Sequence, residues 1–342
     1  MPHPMILTRT RAFLILIVLC LVAATLYVTR DMWEGGALIG IAPHQALYQM
    51  TMTRLMQTNE IADVRGQMSY RIEDACDGWN VAQKFNLQFV YTDAPTALVT
   101  SDYNTYESKD GKRYEFSTRR MRNGQLTDEI LGKAERKDAA GNGTIAYQKP
   151  KVAEIPLPAE VLFPTQHTLA ILRAAQAGQT WFAAPLFDGS DLAKASDVTS
   201  FIQTQRKPYI MQVKELVPLK FVPLPDAGDD TTAVPAVVVE TLKAPRAMTS
   251  DAINASPLLS NTKAWRLRMA FYTRGDAITA DDKKDAAAIS PEDDPLNSTV
   301  PDYEMTMILH SNGVVSSFTL DYPDFSLYAR LLSIAEVARN SC

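Results

Sequence analysis

The sequence predicts a mainly β protein, a many-stranded antiparallel curved sheet with one covering helix. Three observations predict it. Stretches of apolar–polar alternation recur along most of the chain, each reading as a strand with one dry and one wet face. Asp-Gly and Asn-Gly pairs punctuate them, as hairpin connections require. Only one stretch beyond the N-terminal apolar run carries a strong helical stripe. Half-wet strands in succession imply antiparallel pairing, and such a sheet must curl on itself or be covered.

At the N-terminus, Arg9 and Arg11 precede an apolar run over 12–21 followed by Val22-Ala23-Ala24. This is the pattern of an export signal over 1–24. The run continues weakly to Val28, so an uncleaved inner-membrane anchor reaching about residue 30 is the alternative. Cys20 sits in this run as an apolar residue, and Leu19 before it speaks against a lipoprotein site. Residues 25–43 read as a spacer, with Gly35-Gly36 and Pro43 breaking any regular element. The remainder, 44–342, reads as one domain with insertions at about 226–262 and 276–300.

Within that domain Tyr48, Met50 and Met52 alternate with Gln49, Thr51 and Thr53. Val64 to Ile72 and Phe85 to Tyr91 repeat the pattern. Tyr114 and Phe116 open a strand after Asp110-Gly111, and Asn123-Gly124 turns it into another over 126–136. Gly141-Asn142-Gly143 then leads to 144–148. A proline-punctuated extended stretch runs from 150 to 164. A helix follows, with Thr165 as its cap, Leu169, Ile171 and Leu172 as its apolar stripe, and Gly178 as its stop. Residues 181–187 form a short strand closed by Asp188-Gly189. Further strands are expected from Phe201 through Tyr209, Met211 and Val213, over 237–242, and at Trp265, Leu267, Met269 and Phe271. The stretch 244–262 reads as irregular. Tyr303, Met305, Met307 and Leu309 pair with 314–321 around His310-Ser311-Asn312-Gly313. Residues 325–338 read as a last strand running into a short helix, with Tyr328, Leu331, Leu332 and Ala335 on its apolar side.

Charge excludes some functions. With 34 basic and 39 acidic side chains, a net charge of −5 and no basic cluster, neither nucleic acid nor an anionic membrane surface is an expected partner. Membrane contact is expected only through the N-terminal segment, if uncleaved. The four histidines, His3, His44, His167 and His310, lie far apart without ligand spacing, so no metal and no cofactor is predicted. No Gly-x-Ser-x-Gly elbow and no phosphate-cradling glycine loop occurs. Asp77-Gly78, Asp110-Gly111 and Asp188-Gly189 read as turns rather than acid–base groups. Glu107 is the carboxylate to watch, placed to accept hydrogen bonds from turn amides. His167, in the first helical turn, reads as a surface or partly buried hydrogen-bonding residue.

The methionines and aromatics hold more information. Tyr48, Met50, Met52, Met68, Tyr70 and Phe85 would face one side of the sheet. Phe89, Trp265, Met269, Met305 and Met307 would join them. Such a face is either plain core or an adaptable cavity for an acyl chain or an apolar peptide. Cys76 and Cys342 bracket this domain, and export would place them where thiols oxidise. Either they bond, stapling an early strand to the far end of the chain, or both remain free thiols.

Several stretches then fall into one pattern. They are Cys76-Asp77-Gly78-Trp79, Tyr106-Glu107-Ser108-Lys109-Asp110-Gly111, Leu162-Phe163-Pro164-Thr165-Gln166-His167, Leu186-Phe187-Asp188-Gly189 and Asp321-Tyr322-Pro323-Asp324-Phe325, with Cys342 at the end. In this order, from about His44 onward, they resemble the EipB family of cell-envelope integrity proteins from alphaproteobacteria. The resemblance implies a periplasmic protein with a β-spiral, an open-barrel sheet with a LolA/LolB-like look. It also implies a Cys76–Cys342 disulfide, a role in envelope integrity and no catalytic residue. Tyr106 stands where the pattern has Trp, and the two insertions lengthen the family core. The function expected is therefore non-enzymatic. The protein would maintain the cell envelope by binding an envelope protein, a lipid or a lipoprotein. Its rivals are a carrier or chaperone for lipoproteins and acyl chains, and an envelope hydrolase centred on Glu107 or His167.

Overall fold

The computed structural model describes residues 39–55, 60–192, 195–205, 247–273, 300–338 and 342. The export signal, most of the spacer, the strands expected over 209–213 and 237–242, more than half of the 226–262 insertion and nearly all of the 276–300 insertion lie outside them. Ile39–Cys342 forms one compact unit. Among the described residues no helix is long and apolar enough to cross a membrane.

Fourteen antiparallel strands form one sheet. The first eight are β1 (His44–Leu55), β2 (Ile61–Asp74), β3 (Gly78–Tyr91), β4 (Ala97–Ser108), β5 (Arg113–Arg122), β6 (Gln125–Arg136), β7 (Gly143–Lys149) and β8 (Ile155–Leu157). After the helix α1 (Pro164–Gln176) come β9 (Trp181–Leu186) and β10 (Ser196–Gln205). Two short helices, α2 (Ser250–Asn254) and α3 (Pro257–Ser260), occupy part of the stretch expected to be irregular. Then follow β11 (Ala264–Thr273), β12 (Tyr303–His310), β13 (Val315–Asp321) and β14 (Phe325–Glu336).

The spatial order is β8-β7-β6-β5-β4-β3-β2-β1-β14-β13-β12-β11-β10-β9. Every neighbour is also a sequence neighbour except one pair: β1 and β14, the two ends of the chain, lie together. The order is that of a closed meander cut open between β8 and β9. The chain between those two strands contains α1, so the interruption and the covering helix coincide. The segment before α1 hydrogen-bonds the free edge of β9: the Leu162 amide donates to the Pro185 carbonyl at 2.8 Å, and the Phe187 amide donates to the Leu162 carbonyl at 2.9 Å.

Two expectations fail here. Residues 325–338 contain no helix; β14 is strand to Glu336. Leu47 pairs with Ser333 and Tyr48 with Leu331, leaving Leu332 as a bulge. The extra residue breaks period two and puts Tyr328, Leu331, Leu332 and Ala335 at helix-like spacing. The bulged residue is also used, since its carbonyl accepts from the Met248 amide at 2.8 Å. Thr165 is not the cap of α1. The N-cap is Phe163, in extended conformation and with no side-chain cap.

The sheet's dry face carries three clusters. One packs β1, β2, β13 and β14 under α2 and α3, around Tyr48, Met50, Val64 and Phe318. A second joins α1 to β10, β11 and β12 through Ile171, Leu172, Val198, Leu267 and Phe271. The third fills β5 to β8 with Tyr114, Phe116, Tyr147, Phe163 and Phe187. The sulfurs of Cys76 and Cys342 are bonded, with Cα atoms 5.7 Å apart. Cys76 lies at the tip of the β2–β3 turn with φ +70°. Its neighbour Gly78 has no room for a side chain: a Cβ there would stand 2.5 Å from the Tyr106 ring and 2.7 Å from the Glu107 carbonyl oxygen.

Candidate ligand cavity

The helix that covers the sheet is fixed at both ends. At its C-terminus Gly178 takes φ +76°, and two bonds close a Schellman motif. The Gly178 amide donates to the Ala175 carbonyl at 3.1 Å and the Gln179 amide to the Ala174 carbonyl at 3.0 Å. At its N-terminus Pro164 has no amide to satisfy, and the next two amides go to one carboxylate. Thr165 N donates to Glu107 Oε2 at 2.7 Å and Gln166 N to Oε1 at 2.8 Å. Glu107 thus caps α1 from strand β4, across 58 residues of sequence. It is 1% exposed. Burial pushes its pKa up to about 7, although the two helix amides pull it down. The turn amides expected as its partners are therefore helix amides.

Between this helix and the sheet lies a cavity of ≈ 300 Å³. It has two unlike walls. Strands β11 to β13 give an apolar wall: Leu267 and Met269 face Met307 and Met305 across β11–β12, and those face Phe318 and Leu320 across β12–β13. Strands β2 to β4 give a wall with a polar row: Tyr70 pairs with Gln83, and Gln83 with Tyr103. The first turns of α1 close the space with Pro164, Thr165, His167, Thr168 and Ile171.

Seven of the eleven aromatic and methionine residues singled out in the sequence line this cavity: Tyr48, Met68, Tyr70, Phe85, Met269, Met305 and Met307. The other four do not. Met50 is fully buried in the β1–β14 cluster, with Met52 and Phe89 packed against it. Trp265 is buried in the cluster under α1. Alternation assigns a face of the sheet but not a depth along it. In a twisted sheet, residues two positions along a strand meet different neighbours.

His167 is 3% exposed, not at the surface. Burial lowers its pKa to about 4, so it stands neutral. It hydrogen-bonds the Ala184 carbonyl, while its Nε2 has no partner. The bond is therefore made by Nδ1–H, and Nε2 is a bare acceptor. The other two described histidines are structural. His44 Nδ1 lies 2.7 Å from the Ala42 carbonyl. His310 stands between Thr262 Oγ1 at 2.6 Å and Ser316 Oγ at 3.1 Å. Among the described residues no group of three His, Cys, Asp or Glu side chains could hold a metal.

The Asp-Gly pairs divide. Asp77-Gly78 and Asp110-Gly111 are turns between strands. Asp188-Gly189 is internal: the Asp188 carbonyl accepts from the Tyr103 and Tyr114 hydroxyls, and burial raises the pKa of its own carboxyl. Sequence reasoning missed Gln83, Tyr103 and Thr105 of the cavity wall. Of the three, Gln83 had a signal, as a polar residue two before Phe85 on the dry face.

Comparison with known proteins agrees with this architecture. The EipB-like family model matches residues 36–220 and 224–338. One relative, the cell envelope integrity protein EipB of Brucella abortus (strain 2308), is 24% identical over 320 residues, covering 91% of this chain and 92% of that protein. A crystal structure of a β-barrel-like protein of a domain of unknown function, also from Brucella abortus, has a TM-score of 0.64 and 21% identity. That match covers 88% of this chain and 100% of the other, and at this identity it concerns the fold alone. The open fourteen-stranded sheet and a family match over nearly its whole length lead to one statement: this chain belongs to the EipB-like family.

Proposed function

We propose that this protein maintains cell-envelope integrity from the periplasm as a binding protein, holding an apolar chain of a lipid or lipoprotein partner in the cavity beneath α1. The observation that carries the reading is the cavity itself. A space of ≈ 300 Å³ lies at the lower end of the range of small-molecule sites, and Met68, Met269, Met305 and Met307 line it. Unbranched thioether side chains re-pack around guests of varied shape. The name of the Brucella relative supports the envelope role.

No chemical step belongs to this reading. The one strongly perturbed carboxylate near the cavity, Glu107, has both oxygens engaged by helix amides. A general base needs an oxygen within reach of a substrate proton. Native mass spectrometry of the protein purified from its own host tests the proposal. A co-purifying lipid mass, or uptake of an offered single-chain lipid, is expected; neither appearing would end it.

A further inference from the structure

We propose that the cavity selects an uncharged single-chain amphiphile, with its tail along the methionine wall and its hydrogen-bonding head, an amide or a hydroxyl, at the Tyr70–Gln83 row beside the first turn of α1. This rests on the apolar-guest reading above and adds which head group that guest carries.

The division of the walls is the first ground. Met269, Met305 and Met307 stand opposite strands that bear Tyr70, Gln83 and Tyr103. A guest apolar along its whole length would leave the second wall's polar atoms unanswered. Most polar groups around the cavity already have partners. The Tyr48 hydroxyl donates to the Val315 carbonyl at 2.6 Å, and Thr168 Oγ1 donates to the Pro164 carbonyl at 2.9 Å. Tyr103 is held by Tyr114 and Asp188.

Three groups remain under-used. The Tyr70 hydroxyl has no hydrogen-bond partner among the described residues; its ring lies against His44. Gln83 donates its amide only to the Met68 sulfur, at 3.3 Å, a weak acceptor. His167 Nε2 has none. Of the three, His167 Nε2 is a buried atom with no partner, which is unfavourable, so a guest that supplies one is favoured over a guest that does not.

The second ground is charge. No Lys, Arg, Asp or Glu is among the residues lining the cavity. An anionic head has no cation to meet. The one local feature that attracts anions, the N-terminus of α1, is already taken by Glu107. A cationic head would have to lose its water beside neutral imidazoles and apolar side chains. A fatty-acid carboxylate and an alkylammonium are thus both disfavoured against a neutral head on the same tail.

The test uses the full chain stripped of co-purifying lipid, titrated by isothermal calorimetry at pH 8 with four ten-carbon compounds: decanamide, decanol, decanoate and decyltrimethylammonium. Decanamide and decanol are expected to bind at least about tenfold more tightly than either ion, the ratio that one unanswered hydrogen bond or a modest desolvation penalty produces. Tyr70→Phe and Gln83→Leu, each shown folded by its melting curve, are expected to reduce that preference to about threefold or less. Decanoate or the ammonium binding as tightly as the amide would overturn the head-group assignment and leave the apolar-guest reading standing. If none of the four binds, the apolar-guest reading falls and this inference with it. A preference unchanged in both variants would also overturn the assignment to this row.

Discussion

One face of one sheet is treated in two opposite ways. Over β5 to β8 it is filled with rings. Tyr114 stacks on Phe163 with centroids 4.9 Å apart, and Phe116 meets Phe187 at 5.4 Å and Tyr147 at 5.5 Å. Gly132 is bare so that the Phe116 ring can lie on it; a Cβ there would come within 2.6 Å of that ring. Over β2 to β4 and β11 to β13 the same face, here beneath α1, is left hollow and lined with methionine. A space of this size left unfilled by side chains forfeits on the order of several kcal/mol of packing. Rigid aromatics fix a shape, whereas thioethers adapt to one. On the reading proposed above, the filled end holds the fold and the hollow end receives a guest.

The largest effect should fall on both ends alike. The Cys76–Cys342 bond closes a loop spanning 266 residues. Chain-entropy arithmetic for such a loop gives about 5.5 kcal/mol, an upper figure. Cys76→Ser should therefore lower the unfolding free energy by up to that amount, read from denaturant melts, with any guest affinity of the folded protein unchanged. A variant as stable as the parent, or one that folds but no longer binds, would contradict this division between staple and site.

The next two effects separate the ends. Phe116→Ala opens a cavity in the filled cluster and should cost about 3–5 kcal/mol. Phe85→Ala, cut from a ring that already borders empty space, should cost under about 2 kcal/mol, because part of its surface has no partner atoms to lose. Equal losses would mean that the hollow end is packed as tightly as the filled one.

The junction between them titrates. Glu107 has a folded-state pKa of about 7 against an ordinary 4.5, so burial favours its protonated form. Its contribution to stability is full below about pH 4.5 and is lost as pH rises to about 7. The loss is roughly 3 kcal/mol at 1.36 kcal/mol per pKa unit. His167 and His310 run the other way. With pKa values lowered to about 4, they stabilise fully above pH 6.5 and lose that contribution as pH falls. Comparing Glu107→Gln with the parent cancels the histidines. From pH 4.5 to 7 the variant's stability should rise relative to the parent by about 3 kcal/mol. A parallel pair of pH curves would show that Glu107 stays ionised and carries no such penalty.

How much of this was legible in the sequence depends on the range of each interaction. Strands with one wet face, such as Val64 to Ile72 and Phe85 to Tyr91, announce themselves by alternation alone. Strand β4 does not, because Ser101, Asp102 and Asn104 put polar residues on both faces, and no strand was expected over 97–108. The end of β14 misled through one inserted residue, Leu332. The capping of α1 by Glu107 was invisible, since the carboxylate and the amides it serves are joined only by the fold. The same holds for the cavity. The sequence put eleven apolar side chains on one face, but which seven surround a space depends on sheet twist and on where α1 sits.

The smallest effect on stability should be the largest on binding. Met307 faces Leu267 on one side and Phe318 on the other, across the middle of the apolar wall. Met307→Phe puts a ring into the void. Elsewhere in a packed core an enlargement costs about 1–3 kcal/mol, because neighbours must move. Here the space exists already, so the change should be within about 1 kcal/mol of neutral or slightly stabilising, read as a melting temperature within a few degrees of the parent. Any apolar guest should at the same time bind at least about tenfold more weakly, since the space it needs is gone. The matching change at the filled end, Ala134→Phe, has no such space, because Ala134 is fully buried beside the ring cluster. It should destabilise by the full overpacking cost and leave binding untouched in whatever fraction folds. If Met307→Phe destabilised as much as Ala134→Phe, the cavity would be one that collapses on itself in solution, and the difference between the two ends would vanish.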